Sequence, residues 1–324
     1  MREKKKDEIL YDHNHDGIDR RGFLKCMAWA GTGTLCVIKG GVLNSYAFNR
    51  IAELDPADMK GELSFAQISD SHMGFNKPAN ADVVGTLKAA VDKINTLKVQ
   101  PEFLLHTGDI SHLSKPGEFD TVDQILKGAA PKDVFFVPGE HDMLNDDGKQ
   151  YLERYGKNAK GAGWYSFDHN GVHFIALVNV VNLQAGGMGN LGAEQLAWLA
   201  DDVKGLSAST PIVVFAHIPM WTIYKDWGWG TDDAEQALST LKRFGSLTVL
   251  NGHIHQIIQK VEGNVAFHTA LSTGFPQPAP GVGPGPVPLA VPAEKLRSVL
   301  GIRSVSYVQG KEMLATIDQT LASS

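Results

Sequence analysis

Short apolar runs recur along the chain, and five of them end directly in carboxylate or imidazole side chains. Phe135–Val137, for example, is followed by a Pro-Gly turn and then by Glu140, His141 and Asp142. The other four runs, with the groups that follow them, are Phe65–Ser69 with Asp70 and His72, Phe103–Thr107 with Asp109 and His112, Ile212–Ala216 with His217, and Leu247–Asn251 with His253 and His255. Apolar runs of this length bounded by Gly or Pro are typical of buried strands. Ligands bind at the carboxyl ends of strands in open α/β sheets, so the pattern predicts a functional site there.

The first half of the chain alternates strand-like and helix-like segments. Apolar residues recur at helical spacing from Ala79 to Leu97, between predicted strands at Leu63–Ser69 and Phe103–Thr107. A helix near Glu118–Leu126 and a strand at Val134–Val137 continue the alternation. This order predicts βαβ units and a parallel sheet.

Hairpins enter the pattern in the second half of the chain. Two apolar segments, Trp164–Phe167 and Val172–Val178, flank the turn signal Asp168–Gly171. The segment Phe275–Pro292 holds seven prolines and three glycines and is predicted to be a long loop. The other expected elements are helices at Gln150–Tyr155, Ala193–Val203, Asp233–Phe244 and Ala293–Leu300, strands at Ile212–Ala216 and Leu247–Leu250, and hairpins at Ile257–Val261 with Val265–Thr269 and at Ile302–Val308 with Met313–Ile317. We expect an α/β fold in which two sheets pack together with helices outside.

Residues 1–47 have the order of an export signal. Arg20 and Arg21 precede an apolar stretch, Cys26–Ile38, which is too short to span a bilayer. Ser45-Tyr46-Ala47 then supplies small residues at the two positions that a signal peptidase reads. The segment resembles a twin-arginine signal peptide. The resemblance implies the twin-arginine export machinery as a partner, a periplasmic or extracellular location, and no stable membrane insertion after cleavage. The alternative is an uncleaved amino-terminal anchor. Residues 48–62 are expected to be a linker and 63–324 a single domain.

Charge and cysteine content narrow the class of protein. The formal net charge is −6 and no basic stripe is present, which argues against a nucleic-acid duplex as partner. Both cysteines, Cys26 and Cys36, lie in the expected signal peptide, so the mature chain would hold no disulfide. Asp12–Gly17 begins like a calcium loop, but Phe23 stands where such a loop needs a bidentate carboxylate. We interpret that segment as a solvated part of the leader.

Side chains that bind metals concentrate at the five predicted strand ends. Histidine and carboxylate side chains are common metal ligands. A lone histidine after a strand is usually structural, but five histidines together with Asp70 and Asp109 indicate a metal site. If the chain is still extended there, Asp70 and His72 point the same way, as do His253 and His255. Two such pairs with Asp109 between them suit a binuclear site, in which two metal ions clamp a phosphoryl group.

The motifs Asp-x-His, Gly-Asp, Gly-x-His-Asp, a single His and Gly-His-x-His stand in this order from Leu63 to about Thr273. As an ordered set they resemble the calcineurin-like metallophosphoesterase family, which includes purple acid phosphatases and class III cyclic-nucleotide phosphodiesterases. The resemblance implies a four-layer αββα sandwich and two transition-metal ions, Fe, Zn or Mn. It also implies hydrolysis of a small phosphodiester or phosphomonoester by a metal-bridged hydroxide.

The resemblance also implies a role for each motif residue. The first metal would be held by Asp70, His72 and His255, the second by His217 and His253, and Asp109 would bridge both. His141 would lie outside the ligand set and protonate the leaving oxygen.

Two positions depart from the family pattern. Glu140 stands where the family has an Asn ligand to the second metal, and His112 stands where an acid often orients the catalytic His. We predict that Glu140 is a ligand and that diesters are the better substrates, the alternative being that Glu140 turns away. Asp142 is a second candidate for orienting His141. Because of Glu140, the competing function is a metal-binding member of the fold with little phosphoesterase activity. Ser111 and His112 occupy the region where purple enzymes carry a Tyr ligand, so no purple absorption band is expected.

Four aromatic residues follow His217 in one segment, namely Trp221, Tyr224, Trp227 and Trp229. They suit either a wall for an aryl, sugar or nucleobase leaving group or a loop that packs on its own side chains. The Pro-rich segment suits a lid, a docking strip or a plain surface insert. The histidines expected to be structural are His106, His169, His173 and His268.

Overall fold

The computed structural model describes residues 34–39, 42–47, 63–307 and 314–322. The chain divides into two units, Met1–Met59 and Lys60–Ser324. In the first unit, strands β1 (Thr34–Lys39) and β2 (Val42–Ala47) form an antiparallel hairpin. The rest of the expected signal peptide and the expected linker lie outside the described residues. Among the helices of the described part, none has the length and apolar character needed to cross a membrane.

The second unit alternates strands and helices. Its described strands are β3 (Leu63–Ile68), β4 (Phe103–Thr107), β5 (Asp133–Val137), β6 (Tyr165–His169), β7 (Val172–Ala176), β8 (Ile212–Ala216), β9 (Leu247–Asn251), β10 (Gln259–Glu262), β11 (Val265–Thr269), β12 (Gly301–Tyr307) and β13 (Ala315–Thr320). Its described α-helices are α1 (Val83–Asn95), α2 (Pro116–Leu126), α3 (Lys149–Tyr155), α4 (Ala193–Val203), α5 (Ala234–Leu241) and α6 (Ala293–Val299). Short 3-10 turns lie at Glu140–Met143, Ala185–Gly187 and Lys225–Trp227.

The strands form two mixed sheets. The five-stranded sheet has the order β13-β12-β3-β4-β5, and its strands β3, β4 and β5 are parallel. The six-stranded sheet has the order β10-β11-β9-β8-β7-β6, in which β7, β8, β9 and β11 are parallel. The predicted βαβ units and their parallel sheet are therefore confirmed, and the second sheet has a parallel core as well.

Aromatic side chains from both sheets fill the space between them. Phe65 and Phe103 of the five-stranded sheet stack with their ring centroids 5.1 Å apart. Phe174 of the six-stranded sheet meets both rings edge-on, at 5.4 and 5.3 Å. Helices α1 and α2 pack on the outer face of the first sheet, and α4 and α5 on that of the second. The layers are thus helix, sheet, sheet and helix, which confirms the expected αββα sandwich.

Element boundaries differ from the prediction where a side chain ends an element. Helix α1 begins at Val83 rather than near Ala79, because the carboxylate of Asp82 accepts a hydrogen bond from the Gly85 N–H and caps the helix. The Pro-rich segment 275–292 contains neither helix nor strand, as expected. The predicted turn around Gly310 lies outside the described residues.

A buried guanidinium connects the two sheets. Arg303, on β12, forms two hydrogen bonds to the carboxylate of Asp318 on β13, of 2.8 and 3.0 Å. It also donates to Gln67 Oε1 on β3 (3.2 Å) and to the Thr269 carbonyl on β11 (2.8 Å). Gln67 in turn donates to the Asn251 carbonyl on β9. A charge in the protein interior is tolerated only with such partners, so this network fixes β12 against both sheets.

Candidate metal centre

The carboxyl ends of five strands meet at one edge of the sandwich. Strands β3, β4, β5, β8 and β9 run directly into the segments that carry the predicted site residues. The structure brings these side chains together as groups that could hold a metal ion: Asp70 with His72 and His255, Glu140 with His217 and His253, Asp70 with Asp109 and His217, Asp109 with Glu140 and His141, and His72 with His112 and His141.

The backbone at these strand ends is left-handed rather than extended. The φ angles of Asp70, His72, Asp109, His253 and His255 are 54°, 42°, 51°, 70° and 55°. The side chains do converge, as expected. The expected reason, an extended chain in which alternate residues point the same way, is wrong. Left-handed non-glycine residues are strained by about 1–3 kcal/mol each and cluster at functional sites. Here, bonds between the Asp70 N–H and the Gly108 carbonyl and between the His72 N–H and the Asp109 carbonyl hold the turns in place.

The first group of ligand atoms is buried. His255 Nε2 lies 3.3 Å from Asp70 Oδ1 and 3.3 Å from His72 Nε2. All three side chains are at most 2% exposed. The Asp70 carboxylate also accepts the backbone N–H of His253, which ties β3 to the end of β9 across the two sheets.

Asp109 lies between the two groups. Its Oδ1 accepts the backbone N–H of His141 at 3.0 Å. Its Oδ2 lies 3.4 Å from His72 Nε2 and 3.5 Å from His217 Nε2. One carboxylate oxygen thus faces an imidazole from each group, which is the placement that a bridging ligand requires.

Glu140 faces the second group. Its Oε1 lies 3.1 Å from His253 Nδ1, and its Oε2 lies 3.0 Å from His217 Nε2. His253 Nδ1 and His217 Nε2 are 3.3 Å apart. Oε2 is buried and has no hydrogen bond of acceptable geometry. The structure places the Glu140 carboxylate inside the group, which does not support the alternative in which it turns away.

Backbone carbonyls fix the orientation of two imidazoles. His217 Nδ1 lies 2.7 Å from the Thr107 carbonyl, and His255 Nδ1 bonds the Phe275 carbonyl. A carbonyl only accepts, so each Nδ1 carries a proton and each Nε2 is the ring nitrogen that faces the site. This arrangement is typical of metal-binding histidines. Sequence reasoning missed both carbonyls, since every residue type has one.

Phe275 contributes its ring as well as its carbonyl. The ring stacks on that of His72 with centroids 4.6 Å apart and lies 4.7 Å from that of His255. Phe75 packs behind it at 4.3 Å. The only sequence signal was that Phe275 is the one aromatic residue of the Pro-rich segment.

The pKa values of two carboxylates of the site, Asp70 and Glu140, are lowered, which favours their ionised form. Burial alone would raise the pKa of Asp70, but the imidazoles of His255 and His217 lower it below its usual value. Burial likewise opposes ionisation of Glu140, yet His253 and His217 hold its pKa well below the usual range. The facing imidazoles therefore hold these buried carboxylates as anions, a balance that a bound cation would also supply.

Two glycines allow the strand ends to approach this closely. A Cβ added to Gly139, before Glu140, would overlap the carboxylate of Asp109. A Cβ added to Gly252, before His253, would overlap the hydroxyl of Ser69 and lie 2.7 Å from Asp70 Oδ2. Only glycine fits at either position.

The donor set fits divalent metal ions. Lone-pair donors of the two groups lie 3.0–3.5 Å apart, and the outer nitrogens of His217 and His255 already hold their protons elsewhere. Imidazole and carboxylate together suit first-row transition metals.

His141 lies beside the ligand groups with its orientation fixed. Its Nδ1 donates to the His112 carbonyl at 2.7 Å, and its ring stacks on that of His112 with centroids 4.8 Å apart. Burial works against protonation, but Asp109 and Glu140 raise the pKa of His141 above its usual value. His112 Nδ1 also lies 3.4 Å from His72 Nδ1. His112 thus orients His141 through its backbone and contacts His72 through its ring.

The structure corrects the expectation for Asp142. Its fully buried carboxylate accepts hydrogen bonds from Ser111 N–H (2.8 Å), Ser111 Oγ (2.7 Å), Gly139 N–H (3.0 Å) and Ile110 N–H (3.1 Å). In the 3-10 turn that contains both residues, its side chain diverges from that of His141. Asp142 therefore joins the loop after Asp109 to the loop before Glu140, and does not orient the imidazole.

The aromatic loop after His217 packs largely on itself. Trp229 is fully buried. The ring of Trp227 meets that of Trp229 edge-on, with centroids 5.0 Å apart, and also meets the ring of Tyr224 edge-on at 5.3 Å. Three of the four histidines expected to be structural lie within hydrogen-bond distance of polar side chains: His106 of Ser71, His169 of Glu102, and His173 of Asp168 and Asp202. The fourth, His268, is buried on β11.

Residues 63–257 match the family model described as calcineurin-like phosphoesterase. A serine/threonine-protein phosphatase of Danio rerio is 26% identical over 239 residues, which cover 65% of this chain and 75% of that protein. A 3',5'-cyclic-nucleotide phosphodiesterase of Nostoc is 24% identical over 219 residues, or 66% of this chain and 79% of that protein. Among solved structures, a dimetal phosphatase from Danio rerio superposes with a TM-score of 0.57 at 14% identity, covering 81% of this chain and 98% of that one.

Proposed function

The chain belongs to the calcineurin-like phosphoesterase family, and we propose that it hydrolyses small phosphate esters at a centre of two transition-metal ions, Fe, Zn or Mn. The observation that supports two ions is the position of Asp109 Oδ2, within 3.5 Å of an imidazole nitrogen from each ligand group. The proposed ligands are Asp70, His72 and His255 for one ion, Glu140, His217 and His253 for the other, and Asp109 for both. Bound metal ions of this kind supply Lewis acidity towards phosphoryl oxygens and lower the pKa of bound water.

The proposed role of His141 is to give a proton to the leaving oxygen. Its Nδ1 is committed to the His112 carbonyl, so Nε2 is the atom available to the substrate. The carboxylates of Asp109 and Glu140, which raise the pKa of His141, favour the protonated ring. Asp109 and Glu140, which raise that pKa, also lie in the ligand groups, so the proton donor and the metal centre share the same carboxylates.

We propose that diesters are better substrates than monoesters. A family member with Asn at position 140 has two carboxylates in the ligand set, whereas this chain has three: Asp70, Asp109 and Glu140. The additional negative charge repels a dianionic monoester more strongly than a monoanionic diester. A relative that is a cyclic-nucleotide phosphodiesterase is consistent with diester chemistry on this fold.

Metal analysis combined with a substrate panel tests this function. Wild-type protein should bind two ions per chain and hydrolyse chromogenic diesters faster than the matching monoesters. Asp109→Ala should lose both ions and the activity, whereas Asp201→Ala, an exposed carboxylate on α4, should change neither. A fully loaded wild-type chain with one ion contradicts the binuclear centre. Two ions without ester hydrolysis would instead favour the competing function, a metal-binding member of the fold with little phosphoesterase activity.

We further propose that the protein is exported by the twin-arginine route. The support is the order of Arg20-Arg21, the apolar stretch and Ser45-Tyr46-Ala47 in the sequence. The mature protein should begin at Phe48, and replacing both arginines by lysine should block export. Amino-terminal sequencing of the exported fraction distinguishes cleavage from the alternative of an uncleaved anchor.

A further inference from the structure

Two exposed segments, which follow β7 and β11 at the edge of the sandwich that carries the metal centre, have no charged side chain. All seven residues of 181–187 are exposed, as are nine of the ten residues of 281–290. Neither segment contains Asp, Glu, Lys or Arg, although such residues make up 20% of the chain. Segment 281–290 also has no side chain that can form a hydrogen bond, since it consists of Gly, Pro, Val, Leu and Ala. Exposed surface of this composition marks an interaction site for an apolar group.

Both segments follow strands, β7 and β11, whose carboxyl ends lie at the edge that carries the metal centre. The Pro-rich loop begins at Phe275, whose carbonyl holds His255, and continues with Gln277, whose side chain donates to the His253 carbonyl. The other segment follows Asn179, whose side chain donates to the carbonyl of Ile218, the residue after His217. A phosphate bound at the metal ions would therefore lie at the same edge of the sandwich as both segments.

The turn Tyr224–Gly228 joins the two segments into one surface. On one side, a Cβ at Gly228 would lie 2.7 Å from the Gly186 carbonyl oxygen, and a Cβ at Gly186 would lie 3.5 Å from the Lys225 carbonyl oxygen. On the other side, a Cβ at Gly281 would lie 3.3 Å from the Tyr224 hydroxyl. We call residues 181–187 and 281–290 the uncharged rim. The turn that joins them has one charge of each sign, Lys225 and Asp226.

Exposed aliphatic side chains are concentrated at this edge. Single exposed aliphatics are normal on protein surfaces, so their distribution is what matters here. Among the described residues, the large hydrophobics that are more than a third exposed include five on the uncharged rim: Val181, Leu183, Val282, Val287 and Leu289. Two more, Leu113 and Leu144, closely follow His112 and His141, and Ile257 follows His255 by two positions. Val261, on β10, is the remaining member of this set.

We propose that the uncharged rim binds the aliphatic chain of an amphiphilic phosphate ester whose phosphate is held at the metal centre. This inference rests on the proposed function and adds the substrate class. A sugar or a nucleobase would need several hydrogen-bonding side chains, whereas 281–290 has none and 181–187 has only Asn182 and Gln184. An aryl group would need exposed ring faces, but Trp229 is buried and the neighbouring rings pack on one another. An aliphatic chain needs only apolar surface beside a charged centre, and the rim provides it.

A homologous series of diesters tests the substrate class. Methyl, butyl and octyl p-nitrophenyl phosphate share one leaving group and differ in chain length, and each is used as a monomer below its micelle concentration. A fully buried methylene contributes about 0.8 kcal/mol, a factor of about four. On an open rim we expect about half of that in free energy, or about twofold per methylene, which gives kcat/KM on the order of 100-fold higher for the octyl than for the methyl ester.

Charged substitutions on the rim provide the matched comparison. Val282→Asp and Leu289→Asp should remove most of the chain-length dependence and leave kcat/KM for the methyl ester unchanged, because neither residue is in the metal centre. Val261→Asp, an exposed valine on β10, should leave both quantities as in wild type.

Three outcomes would overturn the proposal. Equal kcat/KM across the series in wild type would mean that no chain is bound, while turnover of the methyl ester would leave the proposed function intact. Chain-length dependence that survives both rim substitutions would place the chain elsewhere. Sedimentation of wild type with phosphatidylcholine vesicles, without any chain-length dependence in solution, would assign the rim to a bilayer surface instead.

Discussion

Replacing Asp142 by alanine is expected to destabilise the fold by about 3 to 5 kcal/mol. The carboxylate accepts four buried hydrogen bonds, three of them from the backbone N–H groups of Ile110, Ser111 and Gly139. Each buried N–H left without an acceptor costs about 1–3 kcal/mol, and water entering the freed space offsets part of the sum. Asp142→Asn keeps the shape and one acceptor oxygen, so it should cost about 2 kcal/mol, with two donors facing the new amide.

Urea unfolding followed by tryptophan fluorescence measures both losses. Metal-free protein should be used first, since bound metal adds its own stabilisation to the folded state. The same variants should then be titrated with metal. Because Asp142 holds the segments on either side of the centre, next to Asp109 and Glu140, both variants should bind the metals more weakly, with alanine worse than asparagine.

A separation of the loss of stability from the loss of metal binding would contradict a structural role for Asp142. If Asp142→Ala unfolds at the wild-type urea concentration and binds metal normally, yet loses turnover, then Asp142 acts on the substrate or on His141 and not on the two loops. The order alanine, asparagine, wild type in all three measurements is the pattern that a structural role requires.

Three further predictions concern single side chains. His141→Ala should lower turnover by about 10²–10⁴-fold while metal content stays normal, with larger losses for poor leaving groups than for good ones; equal losses for both would exclude the acid role. Glu140→Asn should shift the ratio of diester to monoester hydrolysis towards monoesters and loosen one metal ion, and an unchanged ratio with unchanged affinity would mean that Glu140 is not a ligand. His173 lies 2.8 Å from Asp168 and 3.0 Å from Asp202, and although burial opposes it, these carboxylates raise its pKa. A raised folded-state pKa gives stability that is present below the unfolded value of about 6.5 and lost as pH rises through the folded value. His173→Gln should therefore cost about 1–2 kcal/mol at pH 6 and little at pH 9.5, and a loss independent of pH would contradict the charged pair.

The sandwich and the meeting of the site residues were predictable because both follow from local pattern. Apolar runs such as Phe103–Thr107 are buried on both faces, so their composition alone marks them as central strands. The side chains after parallel strands lie at one edge whatever their exact rotamers. Those two facts are enough to predict that Asp70, Asp109 and His217 lie together.

The local geometry of the centre was not predictable in the same way. Left-handed φ at His72 or His253 depends on hydrogen bonds to other strand ends, such as the bond from the His72 N–H to the Asp109 carbonyl. The orientation of His217 depends on a carbonyl that is 110 residues away. Asp142 stands beside His141 in sequence, but the tight turn sends the two side chains in different directions. Contacts of this kind are tertiary and leave no mark on the sequence around them.

The position of β12 has a consequence for the order in which the domain folds. This strand, which comes late in the chain, pairs with β3, the first strand of the domain, and Arg303 bonds Gln67 across 236 residues. Until β12 has left the ribosome, one edge of β3 has no partner, and an open edge strand is a template for aggregation. The end of β3 also carries Asp70 and His72. The domain should therefore assemble after synthesis and slowly, since contacts so distant in sequence form late. A chain released before Gly301 should be captured by chaperones even though it already contains every proposed metal ligand.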